Sequence, residues 1–282
     1  MLASALIETT GSTAGTQRSA YMRIALFSTC IGDALFPDAH KATALILSRL
    51  GHEVVFPEEQ TCCGQMHFNT GYQKESLGMI RSYADAFADP SIDYVVAASG
   101  SCVGAVREKH VQLADRHGTA ADVDGAKKAA GKTYDLPEFL VDIAGVTNVG
   151  AFFPHRVTYH SSCHGLRFLK LGDRPYQLLE QVEGIDLVPL QNAEECCGFG
   201  GTFSLKNPEV SQSMSFDKAR HIKETEAEYV TGGDSSCLMN IAGTLSRQRS
   251  GIRAVHMAEI LASTKEHPWT PKSAAYSKEK ML

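Results

Sequence analysis

Glu195-Cys196-Cys197-Gly198-Phe199-Gly200-Gly201 and, 134 residues earlier, Thr61-Cys62-Cys63-Gly64 are the two stretches on which the reading of this chain turns. Outward from each adjacent pair lies one cysteine upstream and one downstream, giving C-x31-CC-x38-C for Cys30, Cys62, Cys63 and Cys102, and C-x32-CC-x39-C for Cys163, Cys196, Cys197 and Cys237. Those are all eight cysteines of the 282 residues. A doubled spacing with no cysteine left over marks an internal repeat, which fixes the fold before any single element is assigned.

The repeat extends beyond sulfur. At an offset of 133 to 135 residues, Ser28-Thr29-Cys30 falls on Ser161-Ser162-Cys163, Gly100-Ser101-Cys102 on Ser235-Ser236-Cys237, and Tyr94-Val95-Val96 on Tyr229-Val230-Thr231. Glu53 to Pro57 meets Asp186 to Leu190 after a one-residue slip. Leu136 to Ile143 matches His256 to Ser263 only if the first half carries an insertion, which the Gly/Ala/Lys/Asp-rich stretch Ala114 to Gly131 supplies.

Periodicity then assigns elements to each half. In the first, a strand over Arg23 to Thr29 ends at Cys30. Pro37 opens a helix whose core face is read as Ala44, Leu45, Leu47 and Leu50, and Gly51 closes it. A strand over Glu53 to Phe56, the Cys-Cys-Gly loop, a long helix from about Gly71 to Ala88 and a strand over Tyr94 to Ala98 lead to Cys102. The second half repeats the pattern with strands at Val157 to Tyr159, Asp186 to Leu190 and Tyr229 to Thr231, and helices at Asp173 to Val182 and Pro208 to Ala227.

Strands alternating with helices make parallel β-α-β units, so the expected class is α/β: two pseudo-symmetric parallel-sheet domains, each with a four-cysteine site. Ligands in such sheets sit beyond the carboxyl ends of the strands, where every cysteine falls. Four thiolates per half are thus expected in each of two pockets related by a pseudo-twofold axis. The implied division is a disordered tail over 1–21, a first domain over 22–148, a second over 149–265 and a second tail over 266–282.

Composition excludes several functions. With 43% hydrophobic and 21% charged residues the chain is an ordinary globular one, and its net charge of −5 gives no general attraction to nucleic acid or anionic lipid. Neither a membrane span nor a secretory signal is legible, so the expected location is the cytoplasm. Thiols stay reduced there, which points the cysteines to metal or redox chemistry rather than to disulfides.

Adjacent cysteines on an extended strand point to opposite faces and do not ordinarily ligate one tetrahedral ion. The glycines that follow, Gly64 and Gly198, permit a positive φ that curls the chain around something larger. A polynuclear iron–sulfur cluster in each half suits this better than a single zinc. The order Gly198, Gly200, Gly201 behind cysteines is not a dinucleotide fingerprint, so neither flavin nor nicotinamide binding is expected.

The two CC-G halves, the run Glu195 to Ser204 followed by Lys206-Asn207-Pro208-Glu209, and Gly233-Asp234-Ser235-Ser236-Cys237-Leu238 resemble the cysteine-rich CCG-domain family. Heterodisulfide reductase contributes one member of that family, and the iron–sulfur subunits of glycolate oxidase and anaerobic glycerol-3-phosphate dehydrogenase are others. Tyr159-His160-Ser161-Ser162-Cys163-His164-Gly165-Leu166-Arg167 and the two-domain length most resemble its lactate-utilisation branch. The resemblance covers residues 22 to 265. It implies an electron-carrying iron–sulfur subunit of a multiprotein system oxidising L-lactate to pyruvate, with a ferredoxin-like iron–sulfur protein and a third subunit as partners.

By the same resemblance the eight cysteines are the cofactor and metal ligands, each half holding a non-cubane four-iron cluster. The family's fullest motif ends in C-x-x-C. Here Cys102 is followed by Val103-Gly104-Ala105 and Cys237 by Leu238-Met239-Asn240, so each half has four thiolates and the five-thiolate cluster does not carry over intact. Zinc in one half, or a thiol–disulfide enzyme of the heterodisulfide-reductase kind, is the alternative. His67, His160 and His164 are candidate hydrogen-bond donors or further ligands, and Arg167 and Lys206 are read as solvated charges. Met66, Phe68, Phe199 and Phe203 are expected to form an exposed apolar patch for a partner.

Overall fold

The computed structural model describes residues 21–268 and residue 270. The tails expected over 1–21 and 266–282 lie outside these residues, apart from a few at their inner ends. One of those, Tyr21, donates its hydroxyl to Glu53 at 2.7 Å.

Eight strands form two four-stranded sheets. The first has β1 (Arg23–Leu26), β2 (Glu53–Val55), β3 (Tyr94–Ala97) and β4 (Thr133–Asp135) in the order β2-β1-β3-β4. The second has β5 (Arg156–Tyr159), β6 (Asp186–Val188), β7 (Tyr229–Gly232) and β8 (Arg253–His256) in the order β6-β5-β7-β8. Every pairing is parallel, and the register is the same in both halves. Ala25 stands between Val55 and Val95, and its counterpart Thr158 between Val188 and Val230. The expected class, two repeated α/β halves with parallel sheets, is the observed one.

Alternate residues along each strand enter different cores, as the pleat requires. Ile24 and Val96 share one interior with Val157, Tyr159 and Val255 of the second sheet, whereas Ala25, Val95 and Ala97 face a second cluster with Phe27, Tyr83 and Phe87. Val230 faces the matching cluster of the second half, with Ile222 and Ile241. The largest core is therefore common to both sheets.

Helices close that core reciprocally. Pro37–Arg49 packs on Met257–Ala262, and Arg174–Leu179, its repeat counterpart, packs near Leu136–Glu138. Nearer the site, Cys30–Leu35 meets Ser235–Arg247 while Cys163–Arg167 meets Gly100–Gly104. Contact of i with j repeated as j with i is the signature of a twofold axis. Arg49 reinforces the seam, its part-buried guanidinium donating to the carbonyls of Leu261 at 2.6 Å and Ala262 at 3.1 Å, at the open end of Met257–Ala262.

The differences from the sequence reading are local. The helix opened by Pro37 buries Ala39, Ala42, Ile46 and Leu47, leaving Leu45 46% exposed and off the core face. The helix expected from Gly71 runs from Leu77 to Ala86, because Gly71, at φ 101°, breaks the chain after a short helix Gln65–Asn69. The Ala/Gly/Lys/Asp-rich stretch is a helix, Ala120–Gly131, started by a Thr119/Asp122 capping box and packed on Leu77–Ala86. It feeds β4, which, like β8, is not among the strands expected from the sequence.

A two-quartet thiol cavity at the sheet edges

All eight cysteines sit past the carboxyl ends of strands, as the parallel topology dictates. In the order β2-β1-β3-β4 the connections reverse direction between β1 and β3, and Cys30 and Cys102 follow these two strands. Cys163 and Cys237 follow β5 and β7 in the same way. None of the eight is in a disulfide.

The predicted pockets are two, but the structure has one. A single cavity of about 850 Å³, part of it open to solvent, is lined by both quartets together with Gln65, Met66, Phe199, His164 and Asp234. The helix contacts across the pseudo-twofold axis bring the two edges face to face, which no reading of one half alone supplies.

Each CC-G turn is built alike. Gly64 and Gly198 have φ of 79° and 86°, and their N–H groups donate to Cys62 Sγ and Cys196 Sγ, each at 3.4 Å. The second cysteine of each pair is buried, its carbonyl held by a side chain: His110 Nε2 donates to Cys63 O and Asn240 Nδ2 to Cys197 O, both at 2.8 Å. His110 reaches its partner from the end of a wide π turn, Ala105–His110. Gly198 is the tighter cradle, since a Cβ there would lie 2.5 Å from Ser211 O.

Electrostatics single out the first cysteine of each pair. Cys30 and Cys62 have sulfurs 3.6 Å apart. Hydrogen bonds from Cys30, from Cys63 and from Gly64 N–H pull Cys62 down to about 2, and the equivalent set pulls Cys196 down to about 2. Cys30 and Cys163 are pushed up correspondingly by sharing their protons with these thiolates. Among the described residues, the only three candidate ligand atoms within 4.8 Å of one another are those of His160, Cys197 and Cys237. No three sulfurs of either quartet meet that spacing.

The histidines differ in fate. His67 is exposed, close enough to Cys62 to favour its thiolate. His164 lines the cavity. Gln65 Nε2 donates to its Nε2 at 3.0 Å, which places the ring proton on Nδ1, 3.5 Å from Cys163 Sγ. His160 is buried at the end of β5, lowered to about 4 by burial and by Lys218, and so neutral at pH 7. Arg167 and Lys206 are solvent-exposed, as read.

Sequence reading missed the buried charges. Lys218 is wholly buried beneath the second quartet, donating to Asn192 O at 2.7 Å. Asp234 accepts from Ser99 Oγ and Ser101 N–H, both at 3.0 Å, and beside it burial and the Asp234 charge push Asp135 well up. Asp135 and Lys218 lie far from the cysteine motifs in sequence, and only their burial marks them. The expected apolar patch is corrected too. Phe68 is buried and Met66, Phe199 and Phe203 are half-buried, because they pack around the cavity; the side chains left exposed nearby are Leu205 and Val210.

Comparison with known proteins agrees with this architecture. The cysteine-rich domain, CCG, matches residues 24–107 and again 157–242. Lactate utilization protein A of Oceanobacillus iheyensis is 46% identical over 246 residues, covering 87% of this chain and 98% of that protein. Its namesake in Geobacillus kaustophilus is 47% identical over 241 residues, covering 85% and 98%. In fold, the chain resembles the crystal structure of a hypothetical protein from Helicobacter pylori, with TM-score 0.54 and 10% identity over 85% of this chain, and it spans about half, 48%, of that longer chain. No helix among the described residues is long and apolar enough to cross a membrane. With the cysteine-rich domain matched in both halves and relatives at this identity along nearly their whole length, the chain belongs to the CCG cysteine-rich domain family and, within it, to the lactate utilization protein A family.

Proposed function

We propose that this protein is the iron–sulfur electron-transfer subunit of a cytoplasmic multiprotein system oxidising L-lactate to pyruvate, working with a ferredoxin-like iron–sulfur protein and a third subunit. The observation that carries the reading is the pair of thiol quartets facing one cavity, in a chain 46% identical to lactate utilization protein A.

Cys30, Cys62, Cys63 and Cys102 would hold one centre and Cys163, Cys196, Cys197 and Cys237 the other. Four thiolates on one zinc, with bonds of ~2.3 Å, stand ~3.8 Å apart. Quartets in which no three sulfurs lie within 4.8 Å of one another favour a polynuclear core. Such a centre, when bound, accepts and releases single electrons. The chain's own part is to keep the sulfurs ionised through Gly64 N–H and Gly198 N–H, and to screen them from water with Met66 and Phe199. With no nucleotide fingerprint to receive a hydride, the electron pair from lactate is handled on a partner, which docks over the cavity edge beside the exposed Leu205 and Val210.

Anaerobically purified protein should show a broad band near ~400 nm with bound iron and sulfide. Cys197→Ser should remove about half the iron, one of two centres. Alone the protein should reduce no artificial acceptor with lactate, and should gain that activity when its partners are added. Zinc without iron, or turnover by the isolated chain, would defeat the reading. A second reading, thiol–disulfide exchange, has the 3.6 Å separation of Cys30 and Cys62 sulfurs behind it; a colourless protein reducing disulfides would select it.

A further inference from the structure

The two halves repeat in register, yet they put different side chains at one position beside the sulfurs. Phe27 and His160 both follow the first strand of their half and precede the first cysteine by three residues. Phe27 lies among hydrocarbon, edge-on to Tyr83 at 4.9 Å and to Phe87 at 5.9 Å. The Phe27 ring itself offers no ligand atom.

His160 is 1% exposed, and neither ring nitrogen has a hydrogen-bond partner. A buried polar atom without a partner costs about 1–3 kcal/mol, so such a ring calls for an occupant. His52 is unpartnered too, but it packs edge-on to Phe139, and no set of candidate ligand atoms gathers around it. Around His160 one does, since its nitrogen and the sulfurs of Cys197 and Cys237 all lie within 4.8 Å of one another. The backbone holds it there, with His160 N–H donating to Thr231 O at 2.8 Å.

We infer that the second half holds a mixed nitrogen–sulfur metal centre, with the His160 imidazole a ligand beside Cys197 and Cys237, whereas the first half's centre is all sulfur. This rests on the thiol quartets being metal sites, as proposed above. The inference makes the halves chemically unequal. A neutral nitrogen donor added to four thiolates leaves the ligand charge of the two centres equal and makes their ligand sets different.

The test uses the full chain labelled with ¹⁵N-histidine, reconstituted anaerobically with iron and sulfide and read by pulsed electron paramagnetic resonance. The expected result is the strong nitrogen coupling of a directly bound imidazole, absent from His160→Phe, which installs the residue found at Phe27. A cluster signal without that coupling in the unsubstituted chain, which needs no variant to fold, overturns the inference while leaving the electron-transfer reading intact; so does coupling that survives in His160→Phe. If no iron–sulfur centre forms, the electron-transfer reading fails, and cobalt(II) alone decides the ligand. His160→Phe should then bind cobalt about 10-fold or more weakly, and should lose the imidazole signature. Unchanged cobalt affinity and spectrum would overturn the inference.

Discussion

Ser99 and Asp234 occupy the same position in the two halves and pair with each other. They form an antiparallel bridge, with Ser99 Oγ donating to Asp234 Oδ1 at 3.0 Å. A position that pairs with its own repeat copy lies on the pseudo-twofold axis, so this pair marks where the two cysteine edges are joined. Asp234→Ala should strand Ser99 Oγ and Ser101 N–H and destabilise the protein by roughly 2 kcal/mol. Asp234→Asn, which keeps an acceptor but removes the charge, should lower the pKa of Asp135 without restoring it to the ordinary range, since burial is the larger cause of its rise. Denaturant unfolding and ¹³C carboxyl titration measure the two effects.

Gln65 ties the first half to His164 of the second and fixes its tautomer. Gln65→Leu should release the ring to exchange its proton between Nδ1 and Nε2, visible in long-range ¹H–¹⁵N spectra, and cost about 1 kcal/mol. A His164 proton that stays on Nδ1 in this variant would show that Cys163, not Gln65, sets the tautomer.

Gly198 and Gly64 hold the same turn but have different neighbours. Gly64→Ala meets only the flexible Met79 side chain, at 3.4 Å, so it should cost only the strain of a positive φ, ~1–2 kcal/mol. Gly198→Ala adds a clash with Ser211 O and should lose appreciably more, enough to lower soluble yield. Equal losses in urea unfolding would contradict the difference in cradle.

His256 caps Met257–Ala262 as a neutral ring, Nδ1 accepting from Ala258 N–H at 3.1 Å. Burial lowers it to about 4. Above about pH 6.5 it is neutral whether the chain is folded or not. Between there and pH 4 the unfolded chain binds a proton that the folded one refuses, so stability falls as pH drops through this window and levels off below it. The contribution is on the order of 3 kcal/mol. His256→Asn, a cap that does not titrate, should make the fall in stability of the metal-free protein between pH 6.5 and 4 shallower, leaving the share of His160, which is lowered likewise.

How far the sequence reaches follows from the range of the forces involved. The spacing of Cys30, Cys62, Cys63 and Cys102 and its repetition from Cys163 to Cys237 determine the duplicated parallel α/β architecture. Strand pairing and crossover rules act on short segments and leave few topologies open. The turns at Gly64 and Gly198 were legible for the same reason, since a backbone that must take positive φ selects glycine locally. The merging of two expected pockets into one cavity, the burial of Phe68, the solvent-facing Leu45 and the charges Lys218, Asp135 and Asp234 were not. The shared cavity depends on which helix of one half packs against the other, whereas Lys218 is buried within its own half, donating to Asn192 O; burial of either kind sums many weak contacts between residues distant in sequence. Phe27 and His160 show the division most clearly. Their equivalence is written in the repeat, but that one lies among hydrocarbon and the other beside two sulfurs with both nitrogens unpartnered is decided only where the chain closes on itself.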